Sequence, residues 1–126
     1  MAHPNKPKLT GWETKLMHYI WDRGHATADE IREALRAEGL KRSDSAIRKI
    51  LRGMEEKGAI SQTVENRTFI YTSNLKRHQV QGELIRYLSA LLFQGSVVSL
   101  ALRALDESDL SPEVIAEMRQ KLNEAE

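Results

Sequence analysis

SDSAIRKILRGMEEKGAISQTVENRTFIY, residues 43–71, changes from a helical to a strand period at one glycine. Ile47, Ile50, Leu51 and Met54 fall at i, i+3, i+4 and i+7, the spacing of one buried stripe on a helix. The opposite face holds Ser45, Arg48, Lys49 and Arg52. Ser43 or Asp44 can cap this helix, because a side-chain oxygen accepts an unpaired N–H of the first turn. Gly58 ends it, since glycine enters the left-handed conformation at little cost. Lys57, in the last turn, faces the negative end of the helix dipole. Beyond Gly58, Ile60, Gln62 and Val64 alternate with Ser61 and Thr63, and Phe69 and Tyr71 continue on a return strand. Glu65-Asn66-Arg67 is the expected turn, although it lacks the glycine of the strongest hairpin signals. A cationic helix followed by a hairpin is the outline of a recognition helix with its wing. Such a helix fits the major groove, where arginine and serine meet base edges or phosphates. Taken alone, a basic face is just as well a solvated face, so the flanking sequence has to decide.

Upstream, Thr10 can cap a first helix through about Arg23, with Leu16, Met17, Ile20 and Trp21 as its apolar stripe and Trp12 one turn earlier. Gly24 closes it. Thr27-Ala-Asp-Glu30 reads as a capping box. Ile31, Ala34 and Leu35 mark the buried side of a second helix, which Gly39 ends. Gly39-Leu40-Lys41-Arg42 then leads into the third. Helix-helix-helix-hairpin is the winged helix-turn-helix order. The expected fold is therefore mainly α with a small β-hairpin. A winged helix-turn-helix DNA-binding domain occupies residues 1–74, of which 1–8 form a flexible arm, and a helical dimerisation region occupies residues 75–126. The third helix, residues 43–57, would enter the major groove, with the wing, residues 59–72, near the backbone.

From about Lys76 the chain is helical again. Val80, Leu84, Leu88, Leu91 and Leu92 form a stripe broadened by Ile85 and Tyr87, and Gly95-Ser96 interrupts it. Val97, Val98, Leu100, Ala101, Leu102 and Leu105 follow in a short apolar helix. Ser111-Pro112-Glu113 starts the last one, with serine as cap and proline in the first turn; Val114, Ile115, Met118 and Leu122 mark its buried side. Three short helices of this length cannot bury so many large side chains among themselves. They pack on the winged domain or on a second chain, and dimerisation is preferred. Its expected contacts are Leu84, Leu88, Leu91, Leu92, Val97, Val98, Ala101, Leu102, Leu105, Ile115, Met118 and Leu122. Two recognition helices about one DNA turn apart, roughly 34 Å, would make such a tail useful.

Composition narrows the function classes. The 126 residues suit one domain or a small domain with an accessory segment. Net charge is only +1, but residues 1–75 carry 13 Lys/Arg against 10 Asp/Glu, while residues 76–126 carry 6 against 8. The basic excess therefore lies in the half with the cationic helix. With no cysteine, disulfides and thiolate metal sites are excluded. No apolar run approaches the roughly 18–20 residues of a membrane span, and the N-terminus MAHPNKPK lacks an apolar signal core. A cytoplasmic protein without membrane partner is the expectation.

The candidate DNA contacts follow from charge and position. Arg48, Lys49 and Arg52 lead, Ser45 can meet a base or phosphate, and Lys41 and Arg42 suit phosphate just ahead of the helix. Asp44 is better used as a cap. Arg67 at the wing tip can reach phosphate or the minor groove, and Thr10 can meet phosphate at the start of helix one, although capping suffices to explain it. Trp12 and Trp21 read as core. His3, His18, His25 and His78 have no metal-ligand spacing, and adjacent Glu55 and Glu56 do not form an acid–base pair. No cofactor, metal or catalytic residue is expected. A winged-helix module for protein contacts is the alternative to a DNA-binding regulator.

The order and spacing of these motifs resemble the penicillinase-repressor group of winged-helix regulators (BlaI/MecI/CopY). The resemblance is carried by Leu9-Thr10 with Glu13, Ile20-Trp21 with Gly24, and Ala28, Ile31 and Leu35. It continues through Ser45, Ile47, Leu51, Glu55-Glu56-Lys57-Gly58, Arg67 and Tyr71, then Leu92-Phe93, Gly95-Ser96 and Asp109-Leu110-Ser111. It implies a homodimeric repressor on a palindromic operator, with helix three in the major groove, the wing on backbone and the tail dimerising. Ser43 and Ala46 join the DNA-facing set on this ground. Ala46 stands where relatives usually have threonine, and Gly53 where they often have arginine, which implies a different base readout. The lactam-responsive members are cleaved at an Asn-Phe pair; the aligned pair here is Arg103-Ala104. The cysteine cluster of the copper-responsive members is absent.

Overall fold

Side-chain caps and left-handed glycines set the helix limits in the computed structural model, which describes residues 8–125. The arm expected over residues 1–8 lies, apart from Lys8, outside the described residues. The order is α1 (Gly11–Arg23), α2 (Ala28–Ala37), α3 (Asp44–Glu56), β1 (Ile60–Glu65), β2 (Thr68–Ser73), α4 (Arg77–Leu92), α5 (Val97–Asp106) and α6 (Pro112–Ala125). Thr10 and Thr27 each form a capping box, with Glu13 and Glu30 respectively. Ser43, not Asp44, caps α3: its Oγ accepts the Ala46 N–H at 3.1 Å. Asp44 instead pairs with Arg32 at 2.7 Å, and that hydrogen bond holds its carboxyl below the usual value. An acidic first-turn residue one position inside the cap has a cation from α2 within reach, and the shorter serine takes the capping role.

At the far end of α3 the Gly58 N–H donates to Glu55 O and the Ala59 N–H to Met54 O, both at 2.9 Å, with Gly58 at φ +76°. These are the two bonds that close a helix on a left-handed residue. They turn the chain straight into β1. The strands pair antiparallel with Ile60 opposite Ser73, Gln62 opposite Tyr71 and Val64 opposite Phe69. Glu65 belongs to β1, opposite Thr68, so the turn is Asn66-Arg67 alone, narrower than the three residues expected. Both turn residues have positive φ, 51° and 66°, as a two-residue hairpin turn matching the strand twist requires. Tyr71 also exchanges two backbone hydrogen bonds with Ala26, of 2.8 and 3.0 Å, which ties the α1–α2 link to the hairpin.

The chain divides into two units between Val80 and Gln81, inside α4. The core of the first contains Leu16, Met17 and Ile20 of α1, Ile31 and Leu35 of α2, and Ile47, Leu51 and Met54 of α3, closed by Ala26, Ala59, Ile60 and Tyr71. Leu75 and Val80 pack on it. Trp21 is half-buried and donates its Nε1–H to Leu75 O at 2.9 Å and Ser73 Oγ at 3.0 Å, fixing the exit of β2 on α1. In the second unit, α4 and α5 are bent by 91° at the break around Gly95. No single described helix is long and apolar enough to cross a membrane. Ser96 caps α5 through the Ser99 N–H, and Ser111 caps α6 through the Val114 N–H.

One buried carboxylate joins α1 to α3. Glu13 Oε1 accepts the Thr10 N–H at 2.8 Å and lies 2.5 Å from Lys57 Nζ. A Cβ added at Gly53 would meet Glu13 Oε2 at 3.3 Å, so glycine lets the two helices approach. Burial alone would raise the Glu13 pKa, but the hydrogen bonds from Lys57 and Thr10 and the charge of Lys57 outweigh it, and the net shift is downward. A depressed folded value means stability that is present above the ordinary carboxylate value and is lost as pH falls through the folded one. Glu13→Ala is expected to cost about 2 kcal/mol at neutral pH. In urea unfolding the gap to the natural chain should close as the pH is lowered below about 4; a gap independent of pH would assign the loss to packing.

Candidate nucleic-acid interface

The buried stripe of α3 is consumed by the core, which forces its polar face outward. Lys41, Arg42, Ser43, Ser45, Arg48, Lys49 and Arg52 are all exposed, as are Thr10 and Arg67. Ala46 is half-buried at the edge of the set. Thr10 and Ser43 spend their hydroxyls on capping; Ser45 Oγ lies 3.2 Å from that of Ser43. Gly53 lies against Glu13 of α1, so a side chain there would bear on helix packing.

Most cations of the first unit outside this face are ion-paired. Lys15, Arg23, Arg32, Arg36, Lys57 and Arg77 of the first unit each have a carboxylate partner. Among the described residues Lys41, Arg42, Arg48, Lys49, Arg52 and Arg67 have none. The cations of the cationic face are thus un-neutralised, as are Lys8 and Lys76 elsewhere in the first unit. An anionic partner would not have to break an ion pair to reach them, although Glu55 and Asp29 line the same groove as Arg48, Arg52 and Arg67.

Arg48, Arg52 and Arg67 line a groove of about 430 Å³ between α3, the start of α2 and the wing, together with Gln62, Thr68, Phe69 and Tyr71. Glu55, Asp29 and Thr27 complete it. The Tyr71 hydroxyl is pushed above its usual pKa, first by burial and then by the charge of Glu55, against the opposing charges of Arg48 and Arg52. It therefore remains a neutral donor. Sequence periodicity identified Gln62, Phe69 and Tyr71 as strand residues, but their shared groove with α3 depends on the hairpin folding back. Val64 and Phe69 form a cross-strand apolar pair, 59% and 48% exposed. Trp12, expected in the core, is half-buried and carries the Arg42 guanidinium over its ring, 4.1 Å from the centroid. No group of three or more His, Cys, Asp or Glu suited to a metal ion occurs among the described residues.

Known proteins are similar to this chain, two in sequence and one also in the fold of its first part. The methicillin resistance regulatory protein MecI of Staphylococcus aureus (strain N315) is 26% identical over 116 residues, which span 92% of this chain and 94% of that protein. The penicillinase repressor of Bacillus licheniformis is 27% identical over 119 residues, 94% of this chain and 91% of its own. The solution structure of the DNA binding domain of the repressor BlaI aligns with a TM-score of 0.50 at 26% identity, over 58% of this chain and 88% of that one. The model of the penicillinase repressor family matches residues 9–124, nearly the whole sequence. With helix order, wing and tail all accounted for by that match, the chain belongs to the penicillinase repressor family.

Proposed function

We propose that this chain is a DNA-binding transcriptional repressor that acts as a homodimer on a palindromic operator, in the cytoplasm. Residues 1–74 supply the DNA-binding domain and residues 75–126 the dimerisation region. The polar face of α3 enters the major groove through Ser45, Ala46, Arg48, Lys49 and Arg52. Lys41, Arg42, Ser43 and Thr10 lie along phosphates, and Arg67 brings the wing to the backbone. The observation that carries this reading is the set of unpaired cations on one exposed helix, in a fold shared with a repressor's DNA binding domain. Free guanidinium and ammonium groups displace counterions from a phosphate backbone, whereas ion-paired ones must first break their own contacts.

Dimerisation rests on exposure in the second unit. None of the residues assigned to it is buried. Leu84, Leu91, Leu92, Val97 and Met118 are between 39% and 65% exposed. Apolar surface on this scale, spread over three consecutive helices, favours a covering partner, and a second copy carries the same surface.

A duplex selected from a random library tests the assignment. Arg48→Ala with Lys49→Ala should weaken binding at least about tenfold at 0.15 M salt and flatten the salt dependence by about one to two in slope. Unchanged affinity and slope would mean that another surface binds. Absence of any selected duplex would favour the protein-interaction module. In sedimentation the natural chain should be a dimer at micromolar concentration, and Leu91→Glu with Leu92→Glu a monomer; a monomeric natural chain refutes the tail assignment. At the wing tip, Arg67→Gly removes a left-handed side chain that costs about 1–2 kcal/mol and adds unfolded-chain entropy worth about 0.4–1 kcal/mol. A slightly higher melting temperature with weaker duplex binding is expected. Equal affinity would make Arg67 a turn residue only.

A further inference from the structure

We propose that Trp12 is a positioning residue for DNA contact, its indole holding the Arg42 guanidinium ready for a phosphate. The inference rests on the DNA-binding reading given above. Arg42 sits immediately before Ser43, the cap of α3, with its guanidinium carbon 4.1 Å from the Trp12 ring centroid. Two other cations lie over aromatic rings among the described residues: Lys15 over Tyr19 at 5.8 Å and Arg77 over Trp21 at 5.4 Å. Both are also held by carboxylates, Lys15 by Glu38 and Arg77 by Asp22. Arg42 has the closest ring contact of the three and no carboxylate among the described residues.

That difference has a physical consequence. A carboxylate restrains an arginine by neutralising it and occupying its donors. An aromatic face restrains it while leaving the charge and the in-plane N–H donors available. Those donors match a phosphate in bidentate geometry. Trp12 is half-buried on α1 and packs against the core, so the platform is itself fixed. An arginine already confined to one region loses less rotamer freedom when it binds. The expected gain is about two- to fivefold in affinity.

The test is a double-mutant cycle on the full chain with a selected duplex. Arg42→Ala should weaken binding and reduce the salt slope by about one. Trp12→Leu should weaken binding about two- to fivefold, and Trp12→Phe should restore most of that loss. The combined Trp12→Leu/Arg42→Ala variant should bind no more weakly than Arg42→Ala alone. Additive losses, or full affinity in Trp12→Leu, overturn the proposal. A purely structural role would lower the melting temperature and leave the salt slope unchanged. Arg42→Lys on the natural Trp12 keeps the charge and loses the planar stack, so it serves even where Trp12→Leu does not fold. It should show a clear part of the Arg42→Ala loss, and affinity equal to the natural chain refutes the positioning role. Arg48→Ala with Lys49→Ala, measured alongside, separates the two readings: if it too leaves binding intact, the DNA face itself is misassigned.

Discussion

The ion pair between Glu13 and Lys57 fixes the helix on which the proposed function depends. A carboxylate this poorly hydrated is tolerable only with partners. Glu13 has them from both directions, the N–H of Thr10 on its own helix and the ammonium of Lys57 at the end of α3. It thus serves as capping residue and interhelical tie at once. Gly53 belongs to the same device, since any side chain there would press on the carboxylate. The cationic face of α3 is held from behind, by Glu13 and by the core contacts of Ile47, Leu51 and Met54. None of these groups need be released when a partner approaches from the front.

Charge is used in two ways across the first unit. Arg32, bonded to Asp44 and close to Asp29 and Glu33, links α2 to the first turn of α3. Lys15 reaches Glu38, and Tyr19 donates to the same carboxylate. Such exposed pairs each contribute little to stability, but they keep carboxylates away from the cationic face. Asp44 illustrates the point. Its negative charge lies in the first turn of the recognition helix, where it would repel phosphate, and Arg32 compensates it locally. Glu55 lies in the groove with Arg48 and Arg52, as does Asp29 beside Arg32. If α3 binds DNA as proposed, a carboxylate there would penalise a phosphate and favour a cytosine amino group, so the groove end of α3 would be selective rather than merely adhesive.

Much of this was legible in the sequence because it is local. Thr10, Thr27 and Ser43 are caps, Gly24, Gly39 and Gly58 are left-handed, and the strand alternation from Ile60 gives the hairpin, though not its register, which the two-residue turn shifts by one from the three-residue turn expected. Each signal spans a few residues. What was missed joins distant parts: Glu13 to Lys57, Ala26 to Tyr71, and Trp12 to Arg42. No period or spacing encodes them; they exist only once three helices and a hairpin have met. The same holds for Asp44, whose partner lies twelve residues away on another helix. Gly53 is a further case: the sequence marked it only as a departure from the family pattern, and the packing of α1 shows that it lies against Glu13.

The tail poses a different energetic problem. Each helix is locally well specified, with Ser96 and Ser111 as caps and left-handed Gln94 and Gly95 at the bend. Yet α5 and α6 contain no buried residue, and α4 only Ser89, whose hydroxyl donates to Ile85 O. Local signals thus define helices whose large side chains are not enclosed within one chain. Covering them with a second copy would link folding of the tail to protein concentration by mass action. It would also join two α3 faces, so that the first head bound raises the effective concentration of the second. On that account the apolar tail and the basic head solve one problem together. A head of one short helix and a wing would gain affinity from pairing, and the symmetry of the proposed pair would select which spacing of half-sites receives it.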